Sequence, residues 1–178
     1  MTTDTATQTD TPRAWVGCLG CYNSGSLVGK WLEGESCADL AGAGLADTDE
    51  RCLKCGGDEF MVFDHENYCG VLKGEVSPQE AADAAELLNT VPDYEREILI
   101  AWLGNGMEFD LDAMREAYIG EYSSDRDMAE NFADDTGLFS GLRDPEREFC
   151  ERYFDYDAYA RDLMNDIFDR DGHYFWSY

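Results

Sequence analysis

The sequence predicts an α+β fold, with small antiparallel sheets, packed helices and a highly acidic surface. Three observations carry this. Strand-like runs and well-capped helical stretches are mixed along the chain, and the first three strands assemble naturally as an antiparallel sheet. Apolar residues make up 44% of the 178 residues and aromatics 13%, too much for a disordered acidic chain. Finally, 39 Asp and Glu stand against 13 Lys and Arg, a formal net charge of -26, and charged groups stay in water wherever the chain folds.

Taken in order, residues 1–12 are Thr- and Asp-rich and read as a disordered arm. Residues 14–22 read as a strand, 23–26 as a turn, and Leu27 to Leu32 as a returning strand. The Gly-, Ala- and Cys-rich stretch 34–57 has no clear period and reads as an inserted loop with a short helix near Cys37 to Leu40. A third strand over 59–64 completes a three-stranded antiparallel sheet, because a lone hairpin is marginal in water. These pieces form a first domain over 13–75.

Ser77-Pro78-Gln79-Glu80 is a helix start, with Ser77 as N-cap, Pro78 at N1 and Glu80 closing a capping box. It opens a helix over 78–89, and a second fits 92–103, ended by Gly104-Asn105-Gly106. Together they make a small helical middle domain, 76–106. An α+β third domain, 107–178, contains helices over 111–117 (capped by Asp110), 125–135 (Ser124), 145–152 (Pro145 at N1) and 156–165 (Asp155). Strands are expected over 118–122 and 173–178.

Acidity is spread evenly, with 19 acidic against 6 basic residues in 1–107 and 20 against 7 in 108–178. Direct nucleic-acid binding is excluded as a reading, since phosphate contacts need clustered Lys and Arg, and an anionic membrane is excluded for the same reason. The polar opening reads as neither signal nor transit peptide, and no apolar run reaches the ~18 residues of a membrane span. The expectation is a cytoplasmic protein with reduced thiols. No enzyme is expected. His65 and His173 are isolated, Ser124 and Ser140 lack a nucleophile-elbow setting, and neither a phosphate-cradling loop nor an EF-hand loop occurs.

Several segments together resemble the ArdA antirestriction family. They are Arg13 to Trp31 with its Tyr22-Asn23 turn and Gly29-Lys30-Trp31 step, Asp58 to Tyr68, the Ser77-Pro78 helix start, Tyr118 to Asn131, Tyr153 to Leu163, and Gly172 to Trp176. The match runs over most of 13–178. The resemblance implies an elongated chain of three small α+β domains that pairs as a homodimer and mimics bent B-form DNA. It further implies a partner, a Type I restriction-modification enzyme whose DNA-binding groove the mimic occupies. On that reading the DNA-mimicking face is expected at Glu121, Asp125, Asp127, Glu130, Asp134 and Asp135, continued by Asp155, Asp157, Asp162 and Asp166. In a helix over 125–135, Asp127, Glu130 and Asp134 lie on one side. The dimer contact is placed in 91–120, where Trp102, Met107 and Phe109 cluster. A second reading stands beside this one. Three lysines against ten arginines suit an acidic, halophile-type structural or regulatory protein that binds some other basic protein partner.

Six of the seven cysteines depart from the family pattern: Cys37, Cys52 and Cys55 in what looks like an insertion over 36–57, Cys18 and Cys21 where small residues are expected, and Cys69. No cofactor is required, but Cys52-Leu53-Lys54-Cys55 has the C-x₂-C spacing of half a zinc site. Joined by Cys37 and Cys69, it would make a structural zinc site stapling the 34–57 loop to the third strand. Cys18 and Cys21 are a rival pair, less suited to a joint site because residues three apart in the strand over 14–22 face opposite ways. The alternative is that the thiols are simply small hydrophobes or free cysteines.

Overall fold

The computed structural model describes residues 11–177, so the arm read over 1–12 lies outside the described residues apart from its last two. The chain forms two compact units, one up to Arg96 and one from Glu97. This boundary falls inside the stretch that the sequence assigns to a middle helical domain.

The first unit is built on an antiparallel sheet of strands β1 (Arg13–Cys18), β2 (Gly29–Glu33) and β3 (Phe60–Glu66), in the order β2-β1-β3. β1 is central and carries the buried Ala14, Val16 and Cys18. Gly17 faces Gly29 across the β1–β2 pair, and the Trp15 indole lies over both. A Cβ on either glycine would come within 2.5–2.6 Å of an atom already there, so the ring needs both positions bare. The strand expected over 14–22 stops at Cys18. Helix α1 (Leu19–Asn23) follows, with Cys18 as its N-cap. A 3-10 turn over Gly34–Ala38 takes the place of the short helix expected near 37–40.

Helix α2 (Pro78–Leu88) has the expected capping box, with Glu80 N–H donating to the Ser77 hydroxyl at 3.2 Å and Ser77 N–H donating to the Glu80 carboxylate at 2.6 Å. Its buried face is mostly alanine: Ala81, Ala82, Ala84 and Ala85, with Leu88. Such a flat face permits close approach, and α2 packs on the 3-10 turn 34–38, where a Cβ at Gly34 would stand 3.4 Å from that of Ala85 and the φ of +39° favours glycine. Asn89 donates to Glu35 across the same contact at 2.8 Å. That packing places α2 with the first sheet.

The second unit contains helices α3 (Arg96–Gly104, which begins at the boundary), α4 (Leu111–Ala117), α5 (Asp125–Asp135), α6 (Glu146–Tyr153) and α7 (Tyr156–Leu163). Strands β4 (Tyr118–Glu121), β5 (Ile167–Arg170) and β6 (His173–Trp176) make an antiparallel sheet ordered β4-β6-β5. β5 lies where the sequence reading had no strand, and it turns into β6 through Asp171 and Gly172, both at positive φ, as a two-residue hairpin turn requires. One side of the sheet packs Ile167 and Tyr174 against Met128 of α5, with Phe132, Leu163, Met164 and Trp176 around them. Phe175 faces the other way, fully buried among Trp102, Tyr118 and Phe168 at ring separations of 5.2–5.5 Å. Trp102 also donates its indole N–H to the Glu108 carbonyl at 2.8 Å. Pro145 stands at the N-cap of α6, one place before the expected N1, and α6 buries no residue.

Phe175→Ala removes the ring around which one side of the second sheet is built. The expected loss is about 3–5 kcal/mol of stability, read from the urea midpoint, with the far-UV signature of the remaining fold preserved below the transition.

Candidate functional site: acidic faces and a four-cysteine cluster

Two features of the chain have chemistry beyond packing. The first is the distribution of carboxylates. The unit up to Arg96 has 18 acidic residues against 6 basic ones, and the unit beyond it 21 against 7. Among the described residues Glu95 is the one buried carboxylate.

Helix α5 forms over 125–135, so Asp127, Glu130 and Asp134 share a side, as their spacing requires. Ser124 caps it by accepting from Asp127 N–H at 3.2 Å. Asp127 reciprocates, accepting from the Ser123 N–H at 3.0 Å and the Ser123 hydroxyl at 2.8 Å. These bonds, the backbone one first, hold the Asp127 carboxyl below the usual aspartate range. Arg126 donates to Glu130 at 2.8 Å and to Asp157 of α7 at 2.9 Å, tying the two helices. Asp125 accepts from the Tyr174 hydroxyl at 2.8 Å. Burial first, and then this bond to a carboxylate, push the Tyr174 phenol well above its ordinary range. Asp155 caps α7 by accepting from Ala158 N–H at 3.0 Å.

Five of the ten expected residues thus have local partners: Asp125, Asp127, Glu130, Asp155 and Asp157. The other five, Glu121, Asp134, Asp135, Asp162 and Asp166, are exposed carboxylates. The two histidines have packing contacts. His173 is buried with its Nδ1 3.0 Å from the Tyr118 hydroxyl, and His65 meets Tyr68 edge to face.

The second feature is a cluster of cysteines. Cys18, Cys21, Cys52 and Cys55 bring their Sγ atoms within 4.8 Å of one another, three of them buried and Cys55 exposed. Four thiols so close could together hold a metal ion. This changes the expected ligand set. Cys52 and Cys55 are in the cluster, while Cys37 is buried elsewhere, with its Sγ 3.8 Å from the Tyr68 hydroxyl, and Cys69 is not one of the four. The expectation failed on backbone geometry. Cys18 and Cys21 are not both in a strand, because the chain turns into α1 immediately after Cys18. A helical turn brings residues three apart to one side.

The four thiols perturb one another. Hydrogen bonding to Cys55, with burial next, pushes the Cys21 thiol up to about 12. Burial alone would raise Cys52 as well. Backbone N–H groups of Cys55 and Lys54, with the neighbouring thiols, outweigh it and lower Cys52 to about 7. Cys37 is raised mainly by burial.

These features define an acidic α+β protein of two compact units, with carboxylates directed to solvent in both. The sequence pattern of the family described as antirestriction protein (ArdA) matches residues 14–175, nearly the whole chain. The chain belongs to the ArdA antirestriction family, and membership implies an antirestriction function. None of the curated proteins compared with the chain matches it. Among the described residues, no helix is long and apolar enough to cross a membrane.

Because the Asp127 carboxyl is lowered in the folded state, its contribution to stability is present above the unfolded aspartate value of ~3.9. That contribution is lost as pH falls through the lower folded value. Ser123→Ala removes the hydroxyl donor and leaves the N–H. An NMR titration of the Asp127 carboxyl carbon should show its midpoint rising part of the way toward ~3.9 in the variant.

Proposed function

We propose that this protein disables a Type I restriction-modification enzyme by mimicking B-form DNA and occupying its DNA-binding groove, with no chemistry of its own. The observation that carries this reading is a net charge of -26 shared by both units, with almost every described carboxylate at the surface. Duplex DNA presents one charge per ~1.7 Å, so -26 equals the phosphate charge of about 13 base pairs. Helix α5 illustrates the local match. Its 11 residues rise ~16 Å and carry five carboxylates against one guanidinium, near one net charge per ~4 Å. A single DNA strand has one per ~3.4 Å.

A carboxylate accepts from Arg in the same bidentate manner as a phosphate, which suits a groove lined for DNA. Within the proposed face, Glu121, Asp134, Asp135, Asp162 and Asp166 have their oxygens directed to solvent and can receive an arginine with no local bond to break. Asp125, Asp127, Glu130, Asp155 and Asp157 add field while also holding the fold. A homodimer would double the charge to -52, that of about 26 base pairs, and would match the symmetry of a two-armed enzyme.

The test is a titration of a Type I methyltransferase core against labelled duplex. The protein should displace the duplex, less effectively as salt rises. Losing any one of Asp134, Asp135, Asp162 or Asp166 to Asn should weaken competition by no more than about fivefold. Replacing all four should cost roughly tenfold to a hundredfold and flatten the salt dependence. Absence of displacement at every salt concentration would favour the second reading, a halophile-type acidic protein with another basic partner, which the scarcity of lysine supports. That reading requires the folding midpoint to climb steeply with molar KCl.

Pairing is tested separately. Sedimentation equilibrium across a salt series should give a dimer at ~1 μM, with a Kd that tightens as added salt screens the like charges. A monomer under all these conditions overturns the dimer.

A further inference from the structure

Two C-x₂-C pairs far apart in the sequence meet in the first unit, and nothing in the antirestriction reading uses them. We propose that Cys18, Cys21, Cys52 and Cys55 bind one zinc ion through four thiolates, as a closed structural site.

Distance is the first argument. Four sulfurs at ~2.3 Å from a tetrahedral zinc lie ~3.8 Å from one another. Here Cys18 and Cys55 are 3.4 Å apart, Cys21 and Cys52 are 3.7 Å apart, and all four lie within 4.8 Å. A disulfide needs ~2.05 Å. The mutual closeness of all four sulfurs is what a single ion requires.

Backbone geometry is the second. Each pair sits on a tight turn that aims N–H groups at sulfur. In the first, Cys18 ends β1 and caps α1, and its Sγ accepts from Cys21 N–H at 3.5 Å. In the second, the Cys52 carbonyl accepts from Gly56 N–H at 2.8 Å, and Gly57 N–H donates to Cys55 Sγ at 3.4 Å. Gly56 has φ +71°, a conformation that glycine adopts without strain. Glycines also line the sulfurs. A Cβ on Gly20 would lie 3.7 Å from Cys55 Sγ, and one on Gly57 3.4 Å from it. N–H donors of this kind stabilise negative charge on the thiolates they face.

The third argument is what the ion would supply. Between the 3-10 turn and β3, the chain over 39–59 buries only Leu45, Ala46 and Cys52. Its ordering rests on turns and on one isolated bridge, Ala46 to Cys52. The two knuckles lie at its exit, where Leu19 N–H donates to the Glu59 carbonyl at 2.9 Å. A zinc ion here ties the end of the loop to the end of β1, replacing the hydrophobic core that the loop lacks.

An all-sulfur tetrahedral set selects zinc or iron among common metals, and four protein ligands leave no position for water or substrate. Loading balances as one Zn²⁺ and four thiols giving a tetrathiolate complex of net charge -2 and four released protons.

The test uses the full chain, purified without affinity tag or chelator. Elemental analysis should find one zinc per chain, and X-ray absorption should find four sulfurs at ~2.3 Å. Cys55→Ser, the exposed ligand and the change least harmful to packing, should weaken zinc binding by at least about tenfold. Cys37→Ser and Cys69→Ser should each keep one equivalent. Cobalt(II) exchanged into the unsubstituted chain should show the intense thiolate-to-metal absorption of a tetrahedral centre, a readout that needs no variant. Zinc below about a tenth of an equivalent with all seven thiols reactive, stoichiometric iron instead, a mass showing two disulfides, or zinc lost from Cys37→Ser but kept in Cys55→Ser would each overturn the assignment.

Discussion

Repulsion among 39 carboxylates in a chain with only 13 basic groups sets the terms for everything else in this molecule. An ionised carboxylate cannot be buried unpaired without a cost of several kcal/mol, so nearly all of them must reach solvent. Each of two small units must therefore build its core beneath a surface crowded with like charge. The second unit meets the demand with aromatic rings, Trp102, Phe168, Tyr174 and Phe175 among them, which bury much area per residue. The first unit relies on alanines at close range and on a Trp15 ring laid over two glycines. Both solutions keep the cores thin and the surface available to charge.

Helix ends were the most legible part of the fold. Ser77, Asp110, Ser124 and Asp155 all cap the helices they precede, because a cap is a local interaction over three or four residues and needs no tertiary information. Strands were less legible. β5 is hard to see in the sequence although Asp171-Gly172 is a strong hairpin signal, because its four residues offer only Ile167 and Phe168 as apolar strand formers before Asp169 and Arg170. The Cys18 to Cys21 stretch was read as a strand from its apolar run. The turn into α1 is held instead by long-range bonds, Cys18 N–H to the Val28 carbonyl and Leu19 N–H to the Glu59 carbonyl, which no short window contains. The same turn brings Cys18 and Cys21 to one side and into the cluster, which a strand over 14–22 would not do. The small residues of α2 look like a generic helix face in sequence. Contacts with the 3-10 turn 34–38 and with β3 assign them to the first unit.

The acidic residues divide by duty. Asp155 and Asp127 spend their lone pairs on backbone N–H groups, and Arg126 occupies Glu130 and Asp157. Such carboxylates contribute to the electrostatic field at a distance but resist being drawn into a new bidentate pair. Asp134, Asp135, Asp162 and Asp166 have no such ties, so a partner's arginines can engage them without loosening α5 or α7. A binding surface built this way separates the charges that shape the helices from those that meet the partner, although both types alternate along the same elements.

The strand order β4-β6-β5 has a consequence in time. β6 pairs on both sides, yet its residues follow those of β4 by a long interval, with Tyr118 and His173 55 positions apart. At a ribosomal pace of ~5–20 residues per second, β4 waits roughly 3–10 s for its neighbour to be synthesised. During that wait Met128 and Phe132 of α5 lack the floor they later pack on, while the first sheet already has all three strands. The sheet beyond Arg96 therefore closes only once β6 has been made. The net negative charge of α5, five carboxylates against Arg126, keeps the waiting segment soluble and discourages nascent chains from sticking to one another.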